Sequence, residues 1–359
     1  MTPIKSDKPH LKKQVNIDTY SLNAIMIILA VIIALLLITG IYFIVAATSE
    51  SGPLDLDNFD TPAGSNASYP FKQEIEITVP AITDDTEVIP TKSETSAGIY
   101  SEFAALIDVT ENTVIASKKA ARELYPASMT KVMTLIVVIE NLKTEDAMQE
   151  ELTISAETVD RMYAEGSSGY GFKAGEKLTV EALLHALILQ SDGIAANTLA
   201  EYIAGSEAAF VDLMNAKAQE LGMTNTTFQN CTGLDHDYLL TTCQDVGTMM
   251  IYAMKNTFCA NILTAKSYKL PDSFRPDNTY TLYHATLASK FDTLGVKNQL
   301  QTVEVTAAKS GWIGSASGHC LVTYAEGDNG HKYVLVTAKA TTSEEAIADL
   351  IYIYNNYAK

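Results

Sequence analysis

The feature that most constrains this chain is an apolar segment without a charged residue, over residues 24–47. In a helix, which rises about 1.5 Å per residue, a segment of this length crosses the hydrocarbon core of a bilayer. Four lysines and two aspartates precede the segment, whereas acidic residues dominate after it. The positive-inside rule therefore predicts a cytoplasmic tail over 1–23 and a single transmembrane helix over 24–47. The rest of the chain is expected outside the cell membrane, in an extracellular or periplasmic space.

A cleaved signal peptide is the alternative for this segment. Its last residues, Val45, Ala46 and Ala47, have the small side chains of a cleavage site. The apolar part of a signal peptide is only about 7–15 residues long, however, which favours the uncleaved anchor.

The next stretch, over 48–97, is rich in Ser, Thr and Pro and carries ten acidic residues against two lysines. This composition is typical of an extended linker that repels itself, and it predicts that the folded domain covers 98–359. The whole chain has a net charge of -18. Such an acidic chain is not expected to bind nucleic acid, which requires clustered Lys and Arg.

The order of elements in the predicted domain indicates its fold class. Apolar or β-branched runs over 101–109 and 113–118 predict a hairpin, and an apolar stripe over 180–188 opens a helical middle part. Strands return towards the end, over 303–308, 320–325 and 333–339, before a last helix that Ser343 is expected to cap. This order predicts an α+β domain, with one antiparallel sheet built from both chain ends and a helical insertion between them.

Cysteines and histidines are too dispersed along the chain to predict a metal site. The four cysteines include no C-x-x-C pair, and we expect four buried thiols that pack as small apolar groups. A Cys231–Cys243 disulfide remains the alternative, since the sequence does not fix connectivity. We therefore expect neither a metal nor a cofactor.

The first candidate for chemistry is Ser128, which lies three residues before Lys131 and two after Pro126. At the start of a helix this spacing places both side chains on one face, about a turn apart. A serine hydroxyl becomes a good nucleophile when a base removes its proton, and a lysine can be that base only when it is neutral. The alternative is that Ser128 simply caps the helix.

Two further short motifs follow, and each alone would be an ordinary turn or strand end. Ser191-Asp192-Gly193 comes directly after a predicted helix, and Lys309-Ser310-Gly311 ends a predicted strand. Ser-x-x-Lys, a serine motif 63 positions on and Lys-Ser-Gly 118 positions beyond that follow the order of the penicillin-recognising serine enzymes.

The exported region over 98–359 resembles the low-molecular-mass penicillin-binding proteins, which are serine-type D-alanyl-D-alanine carboxypeptidases. The stretches that carry this resemblance lie at 101–108, 125–131, 173–180, 220–223, 241–245 and 309–312. The resemblance implies a serine β-lactamase/D,D-peptidase-like fold. It also implies removal of the terminal D-alanine from cell-wall peptides and covalent binding of β-lactam antibiotics, without a metal.

The resemblance also implies a role for each motif residue. Ser128 would attack the carbonyl of the penultimate D-alanine, Lys131 would accept its proton, and Ser191 would relay a proton to the departing amine. The backbone N–H groups of Ser128 and Trp312 would form the oxyanion hole.

The third motif would bind the other end of the scissile bond. Lys309 and Ser310 would hold the terminal carboxylate of the substrate, and the charge of Lys309 would help to keep Lys131 neutral. Gly311 would allow another backbone segment to come close.

One residue departs from the family pattern. Gly193 stands where the family usually has an Asn, and the expected consequence is a slower enzyme that Gly193→Asn would accelerate. A non-catalytic protein that binds wall peptides is the alternative. A class A-like β-lactamase is a further one, but it needs a deacylating Glu, and the loop over 224–238 offers only Asp235 and Asp237.

Overall fold

A computed structural model describes residues 69–276 and 279–358, and these residues form ten strands. The strands are β1 (Ala81–Val88), β2 (Phe103–Asp108), β3 (Thr113–Lys118), β4 (Glu151–Thr153), β5 (Lys177–Thr179), β6 (Ser267–Lys269), β7 (Thr281–Tyr283), β8 (Val303–Gly311), β9 (His319–Gly327) and β10 (Lys332–Ala340). Six of them build one sheet in the order β1-β3-β2-β10-β9-β8, and the other four form two small hairpins.

The large sheet joins the two ends of the folded domain, as the sequence predicts. Strand β2 pairs antiparallel with β3 on one side and with β10 on the other, and β9 and β8 continue the antiparallel order to the edge. Every residue of β2 is buried because helices cover both faces of the sheet. The predicted α+β class is confirmed.

The helices lie mainly between the two groups of strands. They are α1 (Lys131–Asn141), α2 (Ala156–Ala164), α3 (Val180–Leu189), α4 (Gly193–Ala204), α5 (Glu207–Glu220), α6 (Cys243–Lys255), α7 (Thr257–Thr264), α8 (Phe291–Thr293), α9 (Val296–Gln299) and α10 (Ser343–Tyr357). Short 3₁₀ helices cover Ala127–Thr130 and Glu145–Gln149, and a π-helix covers Ala285–Lys290.

One hydrophobic core packs on each face of the large sheet. The larger core contains α1, whose residues are all buried except Asn141, together with α3 and parts of α4 to α7. The smaller core packs α10 and the segment around Phe291 against the opposite face. Strand β8 lies at one edge of the sheet, opposite β1, so residues at its end can face a cavity.

The prediction of an extended linker over 48–97 is wrong for the second part of this range. Strand β1 pairs in parallel with β3, and Phe71 and Ile89 on either side of β1 are buried. Its charged, mostly exposed side chains hid this strand from the hydrophobic pattern, yet an edge strand needs only backbone hydrogen bonds on one side. The folded domain therefore begins before residue 98, and the first part of the predicted linker, 48–68, lies outside the described residues.

The predicted transmembrane helix over 24–47 and the tail over 1–23 also lie outside the described residues. Among the residues that are described, no helix combines the length and the apolar character needed to cross a membrane.

The last helix begins one residue earlier than expected. Thr342, not Ser343, is its N-cap, because its hydroxyl accepts a hydrogen bond from the backbone N–H of Glu345 at 3.1 Å. The Glu345 carboxylate in turn accepts a hydrogen bond from the backbone N–H of Thr342 at 3.1 Å. This reciprocal capping box selects Thr342 over its neighbour.

All four cysteines are buried free thiols, as expected, and the alternative Cys231–Cys243 disulfide does not form.

Candidate active site

A cavity of about 310 Å³ opens at the end of β8 and gathers residues from all three sequence motifs. Ser128, Ser191 and Ser310 line it together with Gly311 and Trp312. The remaining predicted site residues, Lys131 and Lys309, are buried close by and reach these serines with their side chains. The structure thus brings together all seven residues that the sequence selected.

Ser128 lies in the 3₁₀ helix Ala127–Thr130, directly ahead of α1. This short helix follows Pro126, and Ala127 adopts a left-handed backbone conformation with φ of 47°. Neither the 3₁₀ helix nor α1 has a side-chain cap, so the alternative that Ser128 is an N-cap is wrong. Its hydroxyl is therefore not engaged with the start of the helix.

Lys131 is the first residue of α1 and is almost completely buried. Its Nζ donates hydrogen bonds to the backbone oxygen of Thr232 at 2.6 Å and to Ser128 Oγ at 3.2 Å. Burial lowers the pKa of Lys131 to about 8, although Cys231 and Asp192 act in the opposite direction. A lysine with this pKa is partly neutral near neutral pH, so it can accept a proton from the serine that it contacts.

Lys309 connects the third motif to the second. Its Nζ donates to Ser191 Oγ at 3.0 Å and to the backbone oxygen of Ser310 at 2.7 Å. The pKa of Lys309 is well below its usual value because the side chain is buried, with further lowering from the charges of Lys131 and Lys290. The positive charge of Lys131 thus disfavours a second positive charge on Lys309.

The hydroxyl of Ser310 is held by a segment that the sequence did not indicate. Ser310 Oγ and Thr286 Oγ1 are 3.0 Å apart and form a hydrogen bond. Thr286 belongs to the π-helix, whose first turn is capped by Nδ1 of His284, which accepts from two backbone N–H groups. Because Nδ1 accepts, Nε2 carries the proton and donates to the backbone oxygen of Ala308 at 3.0 Å. Burial, and secondly the nearby Lys309, lower the pKa of His284 to about 4, so this histidine is a neutral structural group.

The same π-helix contributes Lys290 to the cavity wall. This lysine is only half-buried, unlike Lys131 and Lys309, and its charge influences both Lys309 and His319. No motif marks Lys290, His284 or Thr286, because π-helices are rare and have no sequence signature that could have been used here.

Gly311 permits a very close approach between β8 and the segment that carries Ser128. A Cβ atom at this position would lie 2.7 Å from the backbone nitrogen of Ser128 and 2.9 Å from Cβ of Ala127. Trp312 follows on the open side, where the residue is 59% exposed and its ring stacks on His319 with centroids 5.9 Å apart.

The space around Gly193 does not have room for the side chain that the family usually carries there. A Cβ atom at this position would lie 1.9 Å from Ser167 Oγ and 2.9 Å from Ser167 Cβ. An Asn at position 193 therefore requires Ser167 to move, and the expectation that Gly193→Asn accelerates the enzyme stays a prediction. Among the described residues that line the cavity there is no glutamate, which a deacylating β-lactamase would need.

Comparison with known proteins identifies a matching family and several relatives. A sequence profile of the family described as D-alanyl-D-alanine carboxypeptidase matches residues 90–342. D-alanyl-D-alanine carboxypeptidase DacF of Bacillus subtilis is 29% identical over 242 residues, which are 67% of this chain and 58% of DacF. D-alanyl-D-alanine carboxypeptidase DacC of Escherichia coli is 36% identical over 147 residues, 40% of this chain and 37% of DacC. The matched part thus spans less than two thirds of the length of both relatives.

Solved structures share the fold. The DD-transpeptidase of a Streptomyces strain superposes with a TM-score of 0.63 at 23% identity, covering 73% of this chain and 98% of that one. Penicillin binding protein 5 from Haemophilus influenzae gives a TM-score of 0.61 at 23% identity, covering 73% and 72%. The predicted D,D-peptidase-like fold of the domain is confirmed.

Proposed function

Since this chain belongs to the D-alanyl-D-alanine carboxypeptidase family, we propose that it removes the terminal D-alanine from peptidoglycan stem peptides ending in D-Ala-D-Ala. The observation that carries the proposal is the contact of 3.2 Å between Lys131 Nζ and Ser128 Oγ, at the wall of a cavity that also exposes Ser191 and Ser310. A buried lysine of lowered pKa can activate a neighbouring serine as a nucleophile when the serine hydroxyl does not cap a helix.

In the proposed acylation step, Ser128 Oγ attacks the carbonyl carbon of the penultimate D-alanine while neutral Lys131 takes the hydroxyl proton. The C–N bond to the last D-alanine then breaks, and Ser191 passes a proton to the departing amine. The negative oxygen of the intermediate would accept hydrogen bonds from the backbone N–H groups of Ser128 and Trp312. Water afterwards hydrolyses the ester on Ser128 and frees the enzyme.

The terminal carboxylate of the peptide is assigned to the side of the cavity formed by Ser310 and the π-helix. Lys309 lies behind Ser310 and is already bonded to Ser191 Oγ, whereas Lys290 is half-buried on the cavity wall. Lys290 therefore supplies the more accessible positive charge, and Lys309 contributes from below. Both attract a carboxylate, and neither needs a metal to do so.

The decisive experiment combines Ser128→Ala with two readouts. The wild-type protein should release D-alanine from a pentapeptide ending in D-Ala-D-Ala and should form one covalent adduct with a fluorescent penicillin, found by mass spectrometry on Ser128. Ser128→Ala should lose both activities and remain folded, while Ser267→Ala, an exposed change on β6, should keep both. D-alanine release at the normal rate by Ser128→Ala would refute the assignment of the nucleophile.

The same experiment separates the alternatives. A wild-type protein that binds wall peptides without any D-alanine release would be the non-catalytic protein. Rapid hydrolysis of nitrocefin, at tens of turnovers per second as in typical enzymes, would identify a β-lactamase. We expect neither, because the opened drug stays in the site and no glutamate of the described cavity wall can activate water against it.

We also propose that the segment over 24–47 anchors the protein in the cell membrane, with the catalytic domain outside. The support is its uncharged apolar composition and the lysines ahead of it. Full-length protein should remain with the membrane fraction after a carbonate wash, and protease added from outside should release the catalytic domain. A mature N-terminus at Thr48 in the native host would instead establish a cleaved signal peptide.

A further inference from the structure

The second motif is covered by a loop that approaches it unusually closely. This loop follows α2, and it forms backbone and side-chain hydrogen bonds with three consecutive motif residues. The backbone N–H of Gly193 donates to the backbone oxygen of Ser168 at 3.0 Å, and Ser168 Oγ donates to the backbone oxygen of Ser191 at 3.2 Å. The backbone N–H of Tyr170 donates to Asp192 Oδ2 at 2.6 Å.

The fit between loop and motif depends on a glycine on each side. A Cβ atom at Gly169 would lie 2.4 Å from Asp192 Oδ2, just as one at Gly193 would collide with Ser167. Asp192 is completely buried, and its other carboxylate oxygen accepts from the backbone N–H of Ala195 at 2.8 Å. The loop is therefore fixed in place, and its side chains have defined positions relative to the motif.

One hydroxyl of this loop reaches the catalytic cavity. Ser168 lines the cavity beside Ser128 and Ser191, and its side chain is exposed. Its single proton is given to the backbone oxygen of Ser191, but a serine hydroxyl also has two acceptor positions. Ser168 can therefore accept a hydrogen bond from a ligand without breaking any bond that it already makes.

We propose that Ser168 binds the acyl side of the substrate. Its hydroxyl oxygen accepts a hydrogen bond from the amide N–H that precedes the penultimate D-alanine, and from the side-chain amide N–H of a penicillin. This inference rests on the proposed function.

A pair of β-lactams tests the proposal, because only one of them carries the group in question. Benzylpenicillin has a side-chain amide, whereas penicillanic acid has the same ring system without it. The second-order rate constant of acylation of Ser128 should fall roughly threefold to tenfold for benzylpenicillin in Ser168→Ala, as expected for one net hydrogen bond. Penicillanic acid has no side-chain amide and cannot form this hydrogen bond. Its rate constant in Ser168→Ala should therefore stay within about twofold of the wild-type value.

Ser167→Ala is the matched control, since Ser167 precedes Ser168 in the same loop and does not line the cavity. It should leave both rate constants near the wild-type values. Unchanged acylation by benzylpenicillin in Ser168→Ala, or an equal loss with both drugs, would overturn the proposal. Acylation by penicillanic acid also reports whether the variant is folded. A wild-type protein that reacts with neither drug would instead refute the proposed function itself.

Discussion

Replacing Gly311 by alanine tests how closely the edge strand β8 must approach Ser128, the proposed nucleophile. The new Cβ would lie 2.7 Å from the backbone nitrogen of Ser128, 2.9 Å from Cβ of Ala127 and 3.3 Å from the backbone nitrogen of Met129. Ordinary van der Waals contact begins at 3.4 Å, so the nearest pair must separate by 0.7 Å (3.4 − 2.7). Since the opposing atoms belong to the backbone of a 3₁₀ helix and to one Cβ, no side-chain rotation can relieve the overlap.

The expected damage is mainly functional. A shift of about 1 Å in a catalytic group can cost roughly 10²-fold in rate, and loss of one oxyanion donor costs about 10²–10³-fold in kcat. We therefore expect Gly311→Ala to lower kcat for D-alanine release by about 100-fold or more. Overpacking of this kind typically costs about 1–3 kcal/mol of folding free energy, so the variant should still fold.

The assay compares D-alanine release and thermal unfolding of Gly311→Ala with those of Gly295→Ala. Gly295 has a φ of 62° and nothing within 4 Å of a built Cβ, so alanine there adds backbone strain without any collision. It does not line the cavity. The control should lose stability of about 1 kcal/mol and keep its kcat. Wild-type turnover by Gly311→Ala would show that the close approach is not needed for catalysis.

Two further predictions concern lysines in different surroundings. In the proposed mechanism Lys131 must be neutral to accept the proton of Ser128, and its pKa is about 8. The acylation rate should therefore rise with pH up to about pH 8 and level off above it; a rate that is flat between about pH 6 and 9 would contradict this role. Lys217→Met should lower the free energy of unfolding in urea by about 3–5 kcal/mol. It removes the cation that lies 2.7 Å from the buried carboxylate of Glu140, which then keeps, among the described residues, only the hydrogen bond from the Tyr252 hydroxyl. Lys297→Met, which breaks an ion pair on the surface, should cost less than about 1 kcal/mol, and equal losses in the two variants would refute the argument.

The three motifs of the candidate site could be predicted from the sequence because their geometry is mostly local. Ser128 and Lys131 are one helical turn apart, and Ser191 and Lys309 each end an element whose hydrophobic pattern is clear. The order of the three motifs then supplied the long-range arrangement that spacing alone could not give. The hydrogen bond between Lys309 and Ser191, across 118 positions, is what that order anticipated.

The features that the sequence did not reveal depend on tertiary packing. Strand β1 is held by backbone pairing with β3, and its exposed acidic side chains give no apolar alternation. The π-helix takes its position from His284, which bonds to the backbone of β8. Ser167 occupies the space beside Gly193 because of the path of its loop. No pattern in the loop sequence predicts that path.

A bound substrate carboxylate is expected to change the protonation of Lys131 and Lys309. In the free protein burial lowers the pKa of both lysines, that of Lys131 to about 8. A substrate carboxylate next to Ser310 would stabilise a positive charge on Lys309, and that charge would repel the proton on Lys131. Lys131 would then become the neutral base when the peptide is bound. The pH dependence of kcat, which reports the complex, should accordingly show a lower pKa than that of kcat/KM, which reports the free protein. Equal pKa values in the two profiles would mean that the substrate carboxylate does not activate the base.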